Sequence, residues 1–158
     1  DKHILFVCTG NSCRSVMAEH LLADWVRRAK IPGIVSASAG VFAMPGMRAT
    51  DETQRVLMAS GISASRHQAR IVTAEMMEEA DQVYVMEQFH RDELIRRYPH
   101  LRQKVHLLKT YGLAEVEEGV NPNIPDPIGK PMEVYEVCFE SIKEALQRVG
   151  KSLGIMTE

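Results

Sequence analysis

The sequence predicts an α/β fold in which helices cover both faces of an open, mostly parallel sheet. Four short apolar runs have the length and composition of buried strands. Longer amphipathic segments alternate with these runs, and this alternation is typical of parallel strands joined by crossover helices. The chain has 158 residues, which suits one domain with a substantial core. We therefore assign residues 1–158 to a single domain.

Each element is predicted from its own local pattern. Short runs of aliphatic and aromatic residues bounded by turn formers indicate strands, and apolar residues that recur every three or four positions indicate helices. In chain order, the predicted elements are strand 3–7, helix 14–30, strand 34–38, helix 51–58, helix 72–80, strand 82–86, helix 88–97, strand 104–108 and helix 131–150. Residues 112–131 are predicted as a long loop, because prolines and glycines crowd its second half.

The ends of the helices are predicted from capping and helix-breaking residues. The sequence IPG at 31–33 ends the first helix, and Thr50 or Asp51 caps the second. Tyr98-Pro99 follows the helix at 88–97. Gly150 is placed as the stop of the terminal helix, since glycine commonly follows the last helical turn.

Charge and composition exclude several classes of function. Nineteen basic and 21 acidic residues give a net charge of -2, so we expect no nucleic-acid partner and no attraction to acidic membranes. The sequence has no run of 18 apolar residues, so we expect no transmembrane helix. The charged start DKHIL is unlike a secretory leader. Three unevenly spaced cysteines do not make a disulfide scaffold, which favours a cytoplasmic location.

The loop after the first strand, CTGNSCRS at residues 8–15, carries the candidate functional residues. Its two cysteines, Cys8 and Cys13, raise four possibilities: a metal site, a nucleotide loop, a redox pair or a nucleophile beside an anion site. No other Cys or His pair has ligand spacing, and most of the six scattered histidines are expected to be solvated or singly hydrogen-bonded, so we predict no metal. A single glycine without a Gly-Lys-Ser/Thr ending excludes a nucleotide loop. The cysteines lie too far apart for a Cys-x-x-Cys pair, although a disulfide between them would be possible if the loop curls.

A cysteine nucleophile beside an anion accounts for more of this loop than the other three possibilities. Backbone N–H groups of residues 9–15 can converge on an anion at the positive end of the following helix, and the same field favours thiolate over thiol at Cys8. Arg14 presents a planar fork that matches two phosphate oxygens. Gly10 and Asn11 tolerate the unusual backbone angles of a tight ring.

The pattern Cys-x5-Arg-Ser after a strand resembles the phosphate loop of the low-molecular-weight protein tyrosine phosphatases. Asp126-Pro127 resembles that family's Asp-Pro pair, which precedes the terminal helix. SASAGVFA at 36–43 and RHQARIVT at 66–73 resemble intermediate segments, so the likeness spans nearly the whole chain. It implies a four-stranded parallel sheet, doubly wound, with the phosphate-binding loop after the first strand. It also implies a phosphorylated protein as substrate and no metal or organic cofactor.

The resemblance assigns roles to individual residues. Cys8 would attack phosphorus and form a cysteinyl-phosphate. Arg14 would bind the equatorial oxygens, most tightly in the transition state. Asp126 would protonate the leaving group and then deprotonate the attacking water, so an acidic optimum is expected. Cys13 matches a second loop cysteine that can trap an oxidised nucleophile as a disulfide.

The remaining candidate residues form three sets around these catalytic groups. Phosphate binding is predicted for Thr9, Gly10, Asn11, Ser12, Cys13, Arg14 and Ser15. A supporting hydrogen-bond network is predicted for Asn11, Ser15, Ser38 and His67. The wall of the substrate pocket is predicted to contain Ser12, Phe42, Met44 and Ile128. The Ser15 hydroxyl is also expected to donate to the Cys8 sulfur, and Cys138 is expected to be a core residue.

The wall residues leave two substrates open. Tyrosine-directed members often carry an aromatic ring after Asp-Pro, where this chain has Ile128, although the Phe42 ring could contact a phenol. The family's bacterial protein arginine phosphatases have threonine where this chain has Ser12, and SAGVFA is similar to their sequence. We place phosphotyrosine first from the sequence alone, with phosphoarginine as the alternative.

Two other classes of function are less consistent with the sequence. A thioredoxin-coupled arsenate reductase would need two further cysteines after the third strand, and residues 75–100 contain none. A phosphopeptide-binding module without activity would have no need for Cys8, Arg14 and Asp126 together. We expect a monomer, with weak self-association as the alternative.

Overall fold

The computed structural model describes residues 1–155, and these residues form the predicted α/β architecture. Four parallel strands make one sheet in the order β2-β1-β3-β4. In chain order the elements are β1 (Lys2–Cys8), α1 (Arg14–Ala29), β2 (Ile34–Gly40), α2 (Asp51–Met58), α3 (Ala74–Glu79), β3 (Gln82–Val85), α4 (Gln88–Arg97), a 3₁₀ helix (Pro99–Lys104), β4 (Val105–Leu107) and α5 (Met132–Ser152). The predicted fold class is confirmed, and the 3₁₀ helix is the one element absent from the prediction.

Strand β1 lies inside the sheet, and its two faces supply two separate cores. Ile4 and Phe6 belong to a core built with α1, α2 and α5. Leu5 and Val7 belong to the opposite core, built with α3 and α4. Because both faces are covered, the strand is a continuous apolar run rather than an alternating one. The same arrangement leaves the carboxyl end of β1 as the place where a polar loop can emerge.

The terminal helix runs past the predicted stop, so the assignment of Gly150 was wrong. Gly150 is buried within α5, which continues to Ser152, and the left-handed residue after the helix is Gly154, with φ of 79°. A glycine inside a helix costs about 1 kcal/mol relative to alanine. The residues after Gly150 compensate, because Leu153 and Ile155 pack against the core.

None of the helices in residues 1–155 combines the length and the apolar character needed to cross a membrane.

Gly40, at the end of β2, sets how closely the neighbouring loop can approach. It pairs with Cys8 across the sheet, and its N–H donates to the Arg70 carbonyl. A Cβ at this position would lie 2.4 Å from the Thr9 carbonyl oxygen and 3.0 Å from the Asn11 nitrogen. Both are backbone atoms of the loop at residues 8–15, so a larger residue would displace that loop.

Gly40→Ala should therefore destabilise the protein and distort the loop together. We expect the free energy of unfolding to fall by about 1–3 kcal/mol, the usual cost of inserting a methyl group into a packed site. Urea unfolding measures this loss. Gly10→Ala is the matched control, because a Cβ there meets nothing closer than the Ser12 hydroxyl at 3.7 Å. Equal stability of the two variants would contradict the proposed close approach.

Candidate active site

The loop between β1 and α1 surrounds a small cavity at the carboxyl edge of the sheet. The cavity has a volume of ≈ 140 Å³. Its lining comes from the loop and from the segment before α5: Cys8, Thr9, Gly10, Ser12, Cys13, Arg14, Asp126 and Ile128. Residues more than 110 positions apart in sequence thus meet at one site, and they include all three predicted catalytic residues.

The Cys8 thiol lies at the base of this cavity among hydrogen-bond donors. Its residue is only 2% exposed. The Ser15 Oγ lies 2.9 Å from the sulfur, and the Asn11 backbone N–H donates to the same sulfur at 3.3 Å. Donors aimed at sulfur stabilise a thiolate relative to a thiol.

The Asn11 amide fixes the direction of these hydrogen bonds. Its Nδ2 donates to the Ser15 Oγ at 2.8 Å and to the Ser38 Oγ at 2.9 Å. Each serine hydroxyl accepts one of these hydrogens and keeps its own for another acceptor. Ser15 therefore donates to Cys8, and Ser38 donates to the Glu19 carboxylate at 2.5 Å.

Asn11 itself is held in a left-handed backbone conformation, with φ of 55°. Its Oδ1 accepts from the Arg70 backbone N–H at 3.0 Å. Its carbonyl oxygen accepts from the His67 Nε2 at 2.7 Å, which requires the hydrogen on that nitrogen. Burial lowers the pKa of His67, and this favours the neutral ring. The predicted supporting residues thus all meet at Asn11.

The Arg14 guanidinium is held from the side opposite Asn11. It is 1% exposed, and its Nη1 donates to the Glu87 carboxylate at 2.5 Å and to the Ile124 carbonyl at 2.8 Å. Its Nη2 lies 3.6 Å from the Asp126 Oδ2. A buried guanidinium with these fixed partners is preorganised to meet an anion in the cavity.

A buried histidine completes this second cluster. The Glu87 N–H donates to the His90 Nδ1 at 3.0 Å, so the hydrogen of the ring lies on Nε2 and is donated to the Thr9 Oγ1 at 2.8 Å. Burial, reinforced by the charge of Arg14, lowers the pKa of His90 from 6.5 to about 3. His90 is therefore neither solvated nor singly hydrogen-bonded, unlike the expectation for most of the histidines.

Asp126 lies at the mouth of the cavity, and its side chain is 40% exposed. Its Oδ1 accepts from the Ile128 N–H at 3.1 Å, which orients the carboxylate in the turn. The Oδ2 remains directed toward the Arg14 side of the cavity, at the distance given above. A carboxyl group in this position can exchange a proton with a group leaving the cavity.

The four predicted wall residues divide into two pairs. Ser12 and Ile128 line the cavity. Phe42 and Met44 do not line it, and both are exposed on the loop after β2. The Phe42 N–H donates to the Thr9 carbonyl at 3.0 Å, and the Arg97 guanidinium lies 5.6 Å from its ring centre. The Phe42 backbone therefore lies next to the loop, while its ring lies outside the cavity.

The other two cysteines are buried as free thiols. The Cys13 sulfur lies 3.5 Å from the Thr50 Oγ1 and 3.9 Å from the Tyr135 hydroxyl. Cys138 belongs to the core, as expected, and burial raises its pKa to about 12. Within residues 1–155 no group of three or more Cys, His, Asp or Glu side chains is arranged to hold a metal ion.

A buried cysteine held by a backbone N–H and a serine hydroxyl, with an arginine and a carboxyl group at one cavity, defines a cysteine-dependent phosphatase on an α/β sheet. The low molecular weight phosphotyrosine protein phosphatase family matches residues 3–156, and the chain belongs to that family. This confirms the predicted family and the predicted enzyme class.

Known relatives include phosphatases named for two different substrates. A protein-arginine-phosphatase of Geobacillus stearothermophilus is 35% identical over 150 residues, which cover 95% of each chain. The low molecular weight protein-tyrosine-phosphatase Etp of Escherichia coli K12 is 33% identical over 151 residues, covering 96% of this chain and 94% of the relative. Among solved structures, a mutant YwlE arginine phosphatase with a phosphorylated active-site serine superposes with a TM-score of 0.86 at 33% identity, covering 96% of this chain and 95% of that one.

Sequence reasoning missed four residues that hold the loop: Glu19, Arg70, Glu87 and His90. Glu19 and Arg70 contact the Asn11–Ser38 side, and Glu87 and His90 contact the Arg14–Thr9 side. One local signal was available for the second pair, because Glu87 and His90 form a reciprocal capping box at the start of α4. That motif predicts a helix start, however, and gives no indication of contact with a loop more than 70 residues away.

The lowered pKa of His90 predicts a pH-dependent loss of stability. The unfolded chain binds a proton near pH 6.5, whereas the folded protein binds it only near pH 3. Stability therefore falls as the pH drops below 6.5, with a slope from this group of up to about 1.4 kcal/mol per pH unit. We expect His90→Gln to flatten the profile, and urea unfolding between pH 7 and 4 measures it. The same change at exposed His100 reports any general effect of losing a histidine. An unaltered slope in His90→Gln would contradict the assignment.

Proposed function

We propose that this protein hydrolyses phosphorylated protein side chains through a cysteinyl-phosphate at Cys8, and that phosphoarginine is its preferred substrate. The observation that carries the substrate assignment is the cavity wall, where Ser12 supplies a hydroxyl and Ile128 takes the place of an aromatic ring.

In the first step the Cys8 thiolate attacks phosphorus from the base of the cavity. An S–P bond forms as the bond from phosphorus to the substrate nitrogen or oxygen breaks. Arg14 binds the equatorial oxygens, and the backbone N–H groups of the loop stabilise the charge that builds on them. Asp126 gives its proton to the departing atom, which leaves as a neutral guanidine or phenol.

In the second step a water molecule takes the place of the departed group. Asp126, now a carboxylate, removes a proton from this water as its oxygen attacks phosphorus. The S–P bond breaks, inorganic phosphate leaves, and the Cys8 sulfur departs as thiolate. The hydrogen bond from Ser15 stabilises that leaving thiolate.

The wall residues favour a phosphorylated guanidine over a phenol. The guanidino group presents N–H donors beside the phosphorus, and the Ser12 hydroxyl can accept from it. Among residues 1–155 no aromatic ring lines the cavity, so a phenol would lack a stacking partner within it. The 35% identity to a protein-arginine-phosphatase supports the same assignment.

Phosphotyrosine, which the sequence alone favoured, is the second candidate. Phe42 is exposed and its backbone is bonded to Thr9 of the loop, so its ring would contact a phenol that projects from the cavity. The relative Etp is named a protein-tyrosine-phosphatase, and the family is described by phosphotyrosine.

We also propose that the enzyme acts as a monomer in the cytoplasm and that residues 1–158 form its catalytic domain. One chain supplies every catalytic group, so the site needs no second copy. The three free thiols suit a reducing compartment. Phe42, Met44 and Ile128 are exposed around the site, which would permit weak self-association.

A comparison of two phosphopeptides tests the substrate assignment. For peptides of identical sequence, we expect kcat/KM for phosphoarginine to exceed that for phosphotyrosine by at least tenfold, about 1.4 kcal/mol in the transition state. Ser12→Ile should remove most of this preference, because the hydroxyl acceptor is lost, while Ser12→Thr should retain it. Equal or faster turnover of phosphotyrosine by the unmodified enzyme would reverse the assignment and leave the phosphatase mechanism intact.

The acid role of Asp126 is tested with aryl phosphates of graded leaving-group basicity. Asp126→Ala should lower kcat by about 10²–10⁴ for poor leaving groups, the usual contribution of general acid catalysis. The loss should be smaller for good leaving groups, which need no proton. Cys8→Ser sets the zero of activity, and exposed Asp92→Ala is the matched control. A loss of the same size across all leaving groups would rule out protonation by Asp126.

A further inference from the structure

A larger cavity lies on the reverse side of the phosphate loop. It occupies ≈ 570 Å³ between residues 63–70, which follow α2, and residues Glu19 and His20 of α1, with Ser38 at its floor. This volume is within the range of small-molecule sites, which is about 300–1,000 Å³. We refer to it as the rear cavity. None of its lining residues also lines the cavity above Cys8.

The charged side chains that line the rear cavity sum to a net positive charge, because two arginines, Arg66 and Arg70, face one carboxylate. The Arg70 Nε donates to the Ser38 carbonyl at 3.0 Å, and neither arginine forms an ion pair with a carboxylate within residues 1–155. The one carboxylate in its lining, Glu19, accepts a hydrogen bond from the Ser38 Oγ at 2.5 Å. Two guanidinium groups around one cavity match an anion with several acceptor oxygens.

The remaining lining residues also suit an oxygen-rich ligand. Ser63, Ser65 and Gln68 place hydroxyl and amide groups around the opening. All three are exposed, and the two serine Oγ atoms lie 3.1 Å apart. An apolar ligand would bury these groups without partners, which is unfavourable. The lining therefore selects for charge and hydrogen-bonding capacity.

The wall of the rear cavity is also the support of Asn11. His67 donates to the Asn11 carbonyl, the Arg70 backbone donates to the Asn11 side chain, and Ser38 accepts from it. A ligand that contacts this wall therefore touches residues that are hydrogen-bonded to the loop that holds the Cys8 thiol. An anion bound in the rear cavity would repel the anion that the loop binds on its other side.

We propose that the rear cavity binds a small polyanion bearing at least two phosphate groups, and that the bound anion lowers the turnover of the phosphate loop. The ligand is a free small molecule of the size of a nucleoside diphosphate. Its effect on turnover rests on the proposed function, whereas its binding does not.

Inorganic tripolyphosphate is the probe, and orthovanadate first occupies the loop at Cys8. Calorimetric titration of the vanadate-saturated protein at fixed ionic strength should show one saturable site. Arg66→Gln should weaken this binding at least fivefold. Arg55→Gln is the matched control, since Arg55 is an exposed arginine on α2 outside the rear cavity, and it should change the affinity less than twofold. Citrate replaces tripolyphosphate in a parallel titration, to distinguish phosphate from carboxylate ligands.

Several results would overturn the site. Binding that does not saturate, or an equal effect of the Arg55 and Arg66 variants, would show nonspecific attraction to surface charge. Citrate binding as tight as tripolyphosphate would overturn the assignment to phosphate groups.

A kinetic measurement tests the coupling separately. Tripolyphosphate should lower the kcat of the unmodified enzyme to a finite plateau, while in Arg66→Gln it should raise only KM, through competition at Cys8. An unchanged kcat at full occupancy of the rear cavity would overturn the coupling. If the unmodified enzyme showed no phosphatase activity even without tripolyphosphate, that result would contradict the proposed function and not the binding of anions in the rear cavity.

Discussion

The left-handed backbone of Asn11 is the constraint on which the phosphate loop depends. A non-glycine residue adopts this conformation at a cost, so its surroundings must hold it there. Ser38 contacts the Asn11 amide, and both His67 and Arg70 donate to its oxygen atoms. With these bonds in place, the Asn11 N–H points at the Cys8 sulfur. The Cys8 sulfur is therefore oriented by residues that belong to β2 and to the segment at 66–73.

A second cluster of hydrogen bonds holds the positively charged guanidinium of Arg14 in place. A buried guanidinium needs fixed partners, and Arg14 obtains them from Glu87, the Ile124 carbonyl and the Thr9 hydroxyl. Neutral His90 then ties α4 to Thr9 without adding a competing positive charge. The partners of Asn11 and the partners of Arg14 and Thr9 contact the loop from opposite sides. The sheet and α4 together therefore stabilise a cavity that the loop alone could not maintain.

The sequence predicts the elements well, and it predicts which loop lines the cavity, because both depend on local patterns. Strand runs, helix periodicity and Cys-x5-Arg-Ser each lie within a few neighbouring residues. The supporting contacts are different. Glu87 lies 73 positions from Arg14, and nothing in its neighbourhood indicates a buried ion pair. The prediction that Gly150 ends the terminal helix was wrong for a related reason. Tertiary packing extends this helix and outweighs the local preference of glycine for a helix end. Long-range contacts decide these positions, and a single sequence does not record them.

In the proposed mechanism, the residues that hold the loop differ from the residues that line the mouth of the cavity. Substrate preference can therefore change without a change in the chemistry at Cys8. Asn11 and Arg14 are held by buried partners, so substitutions there would damage the nucleophile or the anion site. Ser12 and Ile128 line the mouth, and neither side chain takes part in the hydrogen bonds that hold Asn11 or Arg14. An arginine phosphatase and a tyrosine phosphatase are both among the relatives of this chain. Under the proposed mechanism, a change at the mouth alters which leaving group fits and leaves the attack on phosphorus unchanged.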